Sequence, residues 1–229
     1  MKITMQRLSM LVMMITLGMG GCKPYIFGPL HPSEEPAPVC TVSESCAQPK
    51  WCQGDLWIYD DGYQLRVNEV VGDLTTFSLI GKSDQWVRRR GLLRESSNLG
   101  DMERRMVYRT GQPLESLRDL LQSKPGTAFS FHQEYRAGEQ MIRQKVQVRL
   151  DAREQITVPA GKFDDALVLT WTTESLTSAW TSLERWWYVP EIGHYVRLEY
   201  KYGSGPFGSR VLIRHCAHDD KVCQKIYGR

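Results

Sequence analysis

A mainly β fold in one domain, with at most one or two short helices, is what this sequence predicts, and three observations carry the prediction. Short segments that alternate polar and apolar side chains recur between turn signals along most of the chain. The 229 residues include seven Trp, ten Tyr and six Phe, a ring content that suits half-buried strands around an aromatic core. Convincing helical periodicity is confined to one stretch. Hydrophobic residues at 41% and charged residues at 24% exclude wholesale disorder. A formal charge of +3, from 29 basic and 26 acidic residues, gives no electrostatic case for nucleic acid.

Residues 1–21 read as an address. Lys2 and Arg7 precede an apolar run from Leu8 to Met19, and Gly20-Gly21 leads into Cys22. A basic start, a short greasy middle and small residues before a cut make a secretory signal. The run is about a dozen residues, short of the roughly 18–20 that a permanent span needs. Its end resembles a bacterial lipobox, which makes Cys22 the lipidated residue, although Met19 stands where Leu is usual. Resemblance to proteobacterial lipoproteins adds that Lys23, standing where Asp would signal retention, points to the outer membrane. Cleavage removes Lys2 and Arg7 and lowers the charge from +3 to +1.

Residues 22–50 follow as a tether. Six of the eleven prolines fall there (Pro24, Pro29, Pro32, Pro36, Pro38 and Pro49), a density that blocks helix and ladder bonds and favours an extended spacer. Residues 51–229 make the β domain, with a cysteine-containing C-terminal tail. Gln64 to Asn68 alternate, and Gly72-Asp73 marks a turn before a strand over 75–80. Ile142, Val146, Val148 and Leu150 share one parity and Arg143, Lys145, Gln147 and Arg149 the other, the pattern of a half-wet antiparallel strand. Val196, Leu198 and Tyr200 repeat it, and residues 210–214 form the final strand. Leu114, Leu117, Leu120 and Leu121 after Pro113 spell the short helix. About eight to ten strands in some 180 residues result.

Three segments stand out: Gly54-Asp55-Leu56-Trp57-Ile58-Tyr59, then Val158-Pro159-Ala160-Gly161-Lys162-Phe163, then Trp187-Tyr188-Val189-Pro190-Glu191-Ile192-Gly193. In this order they resemble an uncharacterised family of bacterial envelope proteins with G-D-x-W-x-Y, V-P-A-G-x-F and W-Y-x-P-x-x-G motifs, over residues 50–202. That resemblance implies one strongly curved antiparallel sheet, similar to the open half-barrel of the Lol lipoprotein carriers. It brings no catalytic residues. Pro159, Gly161, Pro190 and Gly193 read as turn formers.

With Cys22 assigned to lipid, Cys40, Cys46, Cys52, Cys216 and Cys223 remain. In an oxidising compartment thiols pair, and five is odd. The preferred arrangement is Cys216–Cys223 plus one bridge among the N-terminal three. His215 and His218 beside Cys216 and Cys223 have a metal-like look. Their spacing matches no paired-cysteine zinc signature, so a disulfide-closed polar tail is the reading taken and no cofactor is expected. Residues 82–109 carry eight basic against four acidic side chains. Solvated faces are the plain explanation. Arg88, Arg89 and Arg90 are the candidates for contact with anionic envelope material, because guanidinium forks suit phosphate.

No G-x-S-x-G elbow, H-E-x-x-H or phosphate-cradling glycine loop occurs, so the expected role is not enzymatic. The expectation is a lipid-anchored structural or binding module of the envelope, facing the periplasm, with the membrane, envelope proteins or lipids as partners. Trp57, Tyr59, Trp171 and Trp187 are candidates to line an apolar cavity, which would make the protein a lipid or lipoprotein carrier. A metal-binding tail is the remaining alternative.

Overall fold

A computed structural model describes residues 39–41, 48–100 and 103–227. The chain divides into a unit over Met1–Glu34, outside the described residues, and one over Glu35–Arg229. Cys22 and Cys46 also lie outside them.

The described residues form thirteen strands and two helices: β1 Leu56–Tyr59, β2 Gln64–Val71, β3 Leu74–Leu79, β4 Trp86–Arg90, β5 Leu93–Asn98, β6 Glu103–Arg105, β7 Val107–Thr110, α1 Pro113–Gln122, β8 Ala128–Ala137, β9 Gln140–Val158, β10 Gly161–Ser175, β11 Thr181–Val189, β12 His194–Tyr202, β13 Gly208–Cys216 and α2 Lys221–Tyr227. All thirteen strands join one antiparallel sheet, in the order β6-β5-β4-β3-β2-β1-β13-β12-β11-β10-β9-β8-β7. It consists of two meanders, β1–β6 and β7–β13, stitched together where β1 pairs with β13. The outermost strands, β6 and β7, are consecutive in the chain with only Met106 between them. Edges so linked must meet, so the sheet is rolled almost into a barrel. The Met106 N–H donates to Glu95 O at 2.8 Å, and the Tyr108 hydroxyl donates to Arg94 O at 2.6 Å, tying the second meander to the first. The mainly β, strongly curved sheet with two short helices is therefore as expected, and it curls further than a half-barrel.

The strand count exceeds the sequence expectation because of β4 to β7. These strands are three to six residues long, and their arginines and serines show no clean alternation. Their neighbours in the sheet hold them in extended form, which a single sequence does not display.

One end of the barrel is plugged. Pro113 occupies the first turn of α1, and the Ser123 Oγ closes its last turn by donating to Leu120 O at 2.8 Å. Leu117, Leu120 and Leu121 are buried in the core, and Arg153 reaches from β9 to donate to Leu121 O at 2.8 Å. At the same end lie the three sequence motifs. The Trp51 indole N–H donates to Gly193 O at 2.8 Å, the Trp57 indole N–H donates to Ile192 O at 2.9 Å, and the Tyr59 hydroxyl donates to Tyr195 O at 3.0 Å. Gly193 has φ +68°, and a Cβ there would stand 3.0 Å from Trp51 Nε1. Both facts require glycine. The β9–β10 turn reaches back to β13, where the Ala160 N–H donates to Leu212 O at 3.2 Å.

Two disulfides lock this end. Cys216–Cys223 joins the sheet to α2 as expected, and the N-terminal bridge is Cys40–Cys52. Each constrains the unfolded chain by about 2–4 kcal/mol.

Trp57 is fully buried, whereas Trp180 is 39% exposed. Trp57→Ala should cost about 3–5 kcal/mol, measured by urea unfolding, and Trp180→Ala should stay within about 0.5 kcal/mol of the unaltered chain.

Candidate functional site

The other end of the barrel holds a cavity of ≈ 420 Å³. That lies within the roughly 300–1,000 Å³ range of small-molecule sites. Its wall comes from both meanders: Arg89, Leu93 and Arg94 on one side, and Phe131, Gln144, Trp171, Glu184 and Trp186 on the other. Leu99, Trp180 and Tyr202 belong to the same wall and are partly exposed, so they mark its mouth.

Strand pairing explains who faces in. Phe129 pairs with Val148, Val148 with Trp171, Trp171 with Glu184 and Glu184 with Tyr200. Directly paired residues share a face, so this row runs across the concave surface. The next row inward carries Leu150, Leu169, Trp186 and Leu198.

The wall mixes rings with polar groups. Glu184 accepts from the Trp186 indole N–H at 2.8 Å and from the Tyr202 hydroxyl at 2.9 Å. Burial, with Glu184 beside it, pushes the Tyr202 phenol well above the ordinary tyrosine range, so it stays a donor. Gln133 donates to Gln144 at 2.9 Å. The Arg89 guanidinium lies 5.6 Å from the Trp186 ring centre and donates to Leu92 O at 2.8 Å. Burial lowers its pKa from the usual arginine value. Two buried donor atoms of this wall have no hydrogen-bond partner among the described residues: Arg89 Nε and Trp171 Nε1.

Of the four aromatics expected at a cavity, Trp171 alone is in the wall. Trp57 and Tyr59 are core residues of the plugged end, part of the clamp already described. Trp187 is displaced by the two-residue period of a strand, which turns it away from the face that Trp186 occupies. Its indole N–H donates to Glu154 at 2.5 Å, between the guanidinium groups of Arg185 and Arg197 at 5.1 and 4.8 Å. Trp186, Trp180 and Tyr202 take its place in the wall. Parity in β11 could have found Trp186, had the facing of any neighbouring strand been known.

The arginine triplet does not make one anion-binding patch. Arg89 points inward with Val87, while Arg90 pairs with Asp73 at 2.5 Å and Glu95 at 3.2 Å. Arg88 donates to the Thr76 hydroxyl at 3.1 Å and lies over Trp86. Alternation along β4 splits consecutive residues between faces.

The histidines of the tail part company as well. His215 stacks on Trp57 with ring centres 5.2 Å apart, and His218 Nδ1 sits 3.1 Å from Asp55 Oδ1. Cys216 and Cys223, which a metal-binding tail would need as co-ligands, are joined to each other. Cys40, Cys52 and His218 do place ligand atoms within 4.8 Å of one another, but both sulfurs there are spent in a disulfide.

A residue missed from the sequence is His194. It is buried among Trp57, Tyr59, Trp186 and Tyr195, with Nδ1 2.7 Å from the Tyr59 hydroxyl. Burial, reinforced by Arg89, Arg210 and His215, holds its imidazole well below the ordinary histidine range. The ring is thus neutral in the fold, while the unfolded chain takes up the proton below about pH 6.5. Stability from this group is full above that pH and declines below it, by up to about 1.4 kcal/mol per pH unit. Urea midpoints should therefore drop from roughly pH 7 to pH 5, and His194→Gln should flatten the slope. An unchanged slope in the variant would assign the loss to other groups.

No protein-family model and no curated protein matches this chain. Among solved structures, it is similar to the hypothetical lipoprotein YmcC from Escherichia coli (K12), at 8% identity and a TM-score of 0.48, over 70% of this chain and 82% of that one. A likeness of that size assigns neither family nor activity.

Proposed function

We propose that this protein is a lipoprotein of the bacterial envelope, anchored through Cys22 to the outer membrane and facing the periplasm, whose rolled sheet holds a ligand and does not transform it. The observation that carries this reading is the cavity: one end of the barrel is plugged by α1 and the aromatic clamp, and the other is left hollow. A sheet that served only as a scaffold would be expected to fill its interior at native packing density. The anchor is supported by the basic start, apolar run and Gly20-Gly21-Cys22 of the leader. The non-catalytic part is supported by the wall itself. Among the described residues it carries one carboxylate, Glu184, already accepting two hydrogen bonds, and neither histidine nor cysteine.

A carrier of lipid or lipoprotein, acting like the Lol proteins, is the second reading. Leu92, Leu93, Leu99, Met106, Phe131 and Val146 favour it by giving the cavity an apolar side of the kind an acyl chain would meet.

Two measurements test these readings. Intact mass of the protein isolated from bacterial membranes should show loss of residues 1–21 and a lipid adduct that Cys22→Ala lacks; a bare Cys22 refutes the anchor. Native mass spectrometry should show a discrete small molecule bound to the unaltered chain and lost from Thr173→Trp, which fills the wall beside Trp171. A lipid mass selects the carrier reading, and an empty cavity in both proteins refutes ligand holding.

A further inference from the structure

We infer that the open end of the barrel docks against a lipid bilayer, through the hairpin tips at residues 176–180 and 203–207. Strand direction brings these two tips to the same end, because β11 leaves the first and β12 arrives at the second. They touch: the Gly203 N–H donates to Thr181 O at 2.7 Å, and a Cβ on Gly203 would stand 3.0 Å from the Trp180 ring. Gly203 has φ +53°, so the close approach and the backbone both call for glycine.

The tips expose an apolar surface that the fold does not use. Phe207 is 71% exposed, Leu176 55%, Tyr202 44% and Trp180 39%. Neither tip contains a charged residue. Charge lies behind them, where the Lys201 ammonium is 5.0 Å from the Phe207 ring centre and the Glu184 carboxylate accepts from the Tyr202 hydroxyl at 2.9 Å. Apolar and aromatic side chains at the point with a cation set back from it match the layering of a bilayer surface, hydrocarbon first and anionic headgroups outside. A protein partner would more commonly be met by a broader patch with a polar rim.

The tether makes the contact reachable. Val39 and Cys40 are fixed to residues 52–53 at the plugged end, through the Cys40–Cys52 bridge and the Gln53 N–H donating to Val39 O at 2.9 Å. From there to the tips is the length of β11, nine residues or roughly 30 Å. Sixteen residues lie between Cys22 and Val39, a reach of roughly 55 Å when extended. The domain can thus stand with its hollow end against the membrane that holds its own anchor. Trp180 and Tyr202 belong to both the tips and the cavity wall, so docking would place the mouth at the lipid surface.

This inference rests on the anchored reading of Cys22 for its geometry, and the test keeps the two apart. The full chain, isolated with its N-terminal lipid, is reconstituted in vesicles of phosphatidylethanolamine and phosphatidylglycerol. A photoreactive benzophenone side chain replaces Phe207 in one sample and Val71, which is 62% exposed at the plugged end, in the other. Intact mass before irradiation reports the anchor. Lipid adducts at position 207 should exceed those at position 71 by about tenfold, the partition that burial of one large apolar side chain gives. Equal adducts at both positions, no adducts, or adducts to protein in place of lipid would overturn docking. Lipid adducts at 207 on a chain without the anchor would uphold docking and refute the anchored reading.

Discussion

β1 has only four residues, yet the architecture depends on the pairing it makes with β13. Each meander alone would be an open sheet with two exposed edges, and such edges invite pairing with other chains. The β1–β13 seam removes one edge from each meander, and the short link through Met106 brings the remaining two together. A four-residue ladder is a slight device for that purpose. The indole and phenol donors of Trp51, Trp57 and Tyr59 reinforce it, since each reaches a carbonyl of residues 192–195 and so fixes β1 to the β11–β12 turn as well as to β13. Net hydrogen bonds of about 1 kcal/mol each are secondary to the burial of three large rings, but they decide which way the rings point.

This clamp also explains why the two ends of the barrel differ. Residues that are needed to hold the seam fill the plugged end, and α1 covers what they leave. Beyond Trp186 the interior loses its rings of leucine and valine and acquires Gln133, Gln144, Thr173, Ser182 and Glu184. Gln133 and Gln144 are matched with each other, and Glu184 with Trp186 and Tyr202. The Trp171 indole N–H and the Arg89 Nε are not, and an unmatched buried donor costs about 1–3 kcal/mol. A donor left open at that place suits the proposed ligand-holding role, in which an acceptor on the ligand would meet it.

The sequence made the long elements legible because their pattern is local. β9 buries one face and wets the other over much of its length, β12 alternates apolar with polar side chains, and Leu114, Leu117, Leu120 and Leu121 mark the inward stripe of α1. The three motifs were visible as turns and aromatic runs, but their meeting in space was not, since it depends on contacts spanning some 135 residues. Facing failed for the same reason. Trp186 and Trp187 are adjacent rings, and which of them enters the cavity is set by the register of β11 against β10 and β12, a property of the pair and not of the strand. The arginines of β4 read as a charge cluster because sequence sums neighbours that a strand sends to opposite sides. Any two of Cys40, Cys46 and Cys52 could have made the N-terminal bridge, and the strand contact between residues 40 and 52 places that one.

The orientation of the mouth follows from the same division of labour. The seam must be rigid, so the disulfides, the clamp and residues 39–41 all gather at one end. What remains for the other end is a set of hairpin tips relieved of structural duty, and these are where Phe207 and Trp180 can stay exposed without weakening the barrel. An anchor attached near the tips would hold the mouth at the membrane at all times. If the chain is anchored through Cys22 as proposed, attachment at the far end would let the domain either lie against the bilayer or stand away from it, and a ligand held in the hollow would leave the lipid surface with the domain.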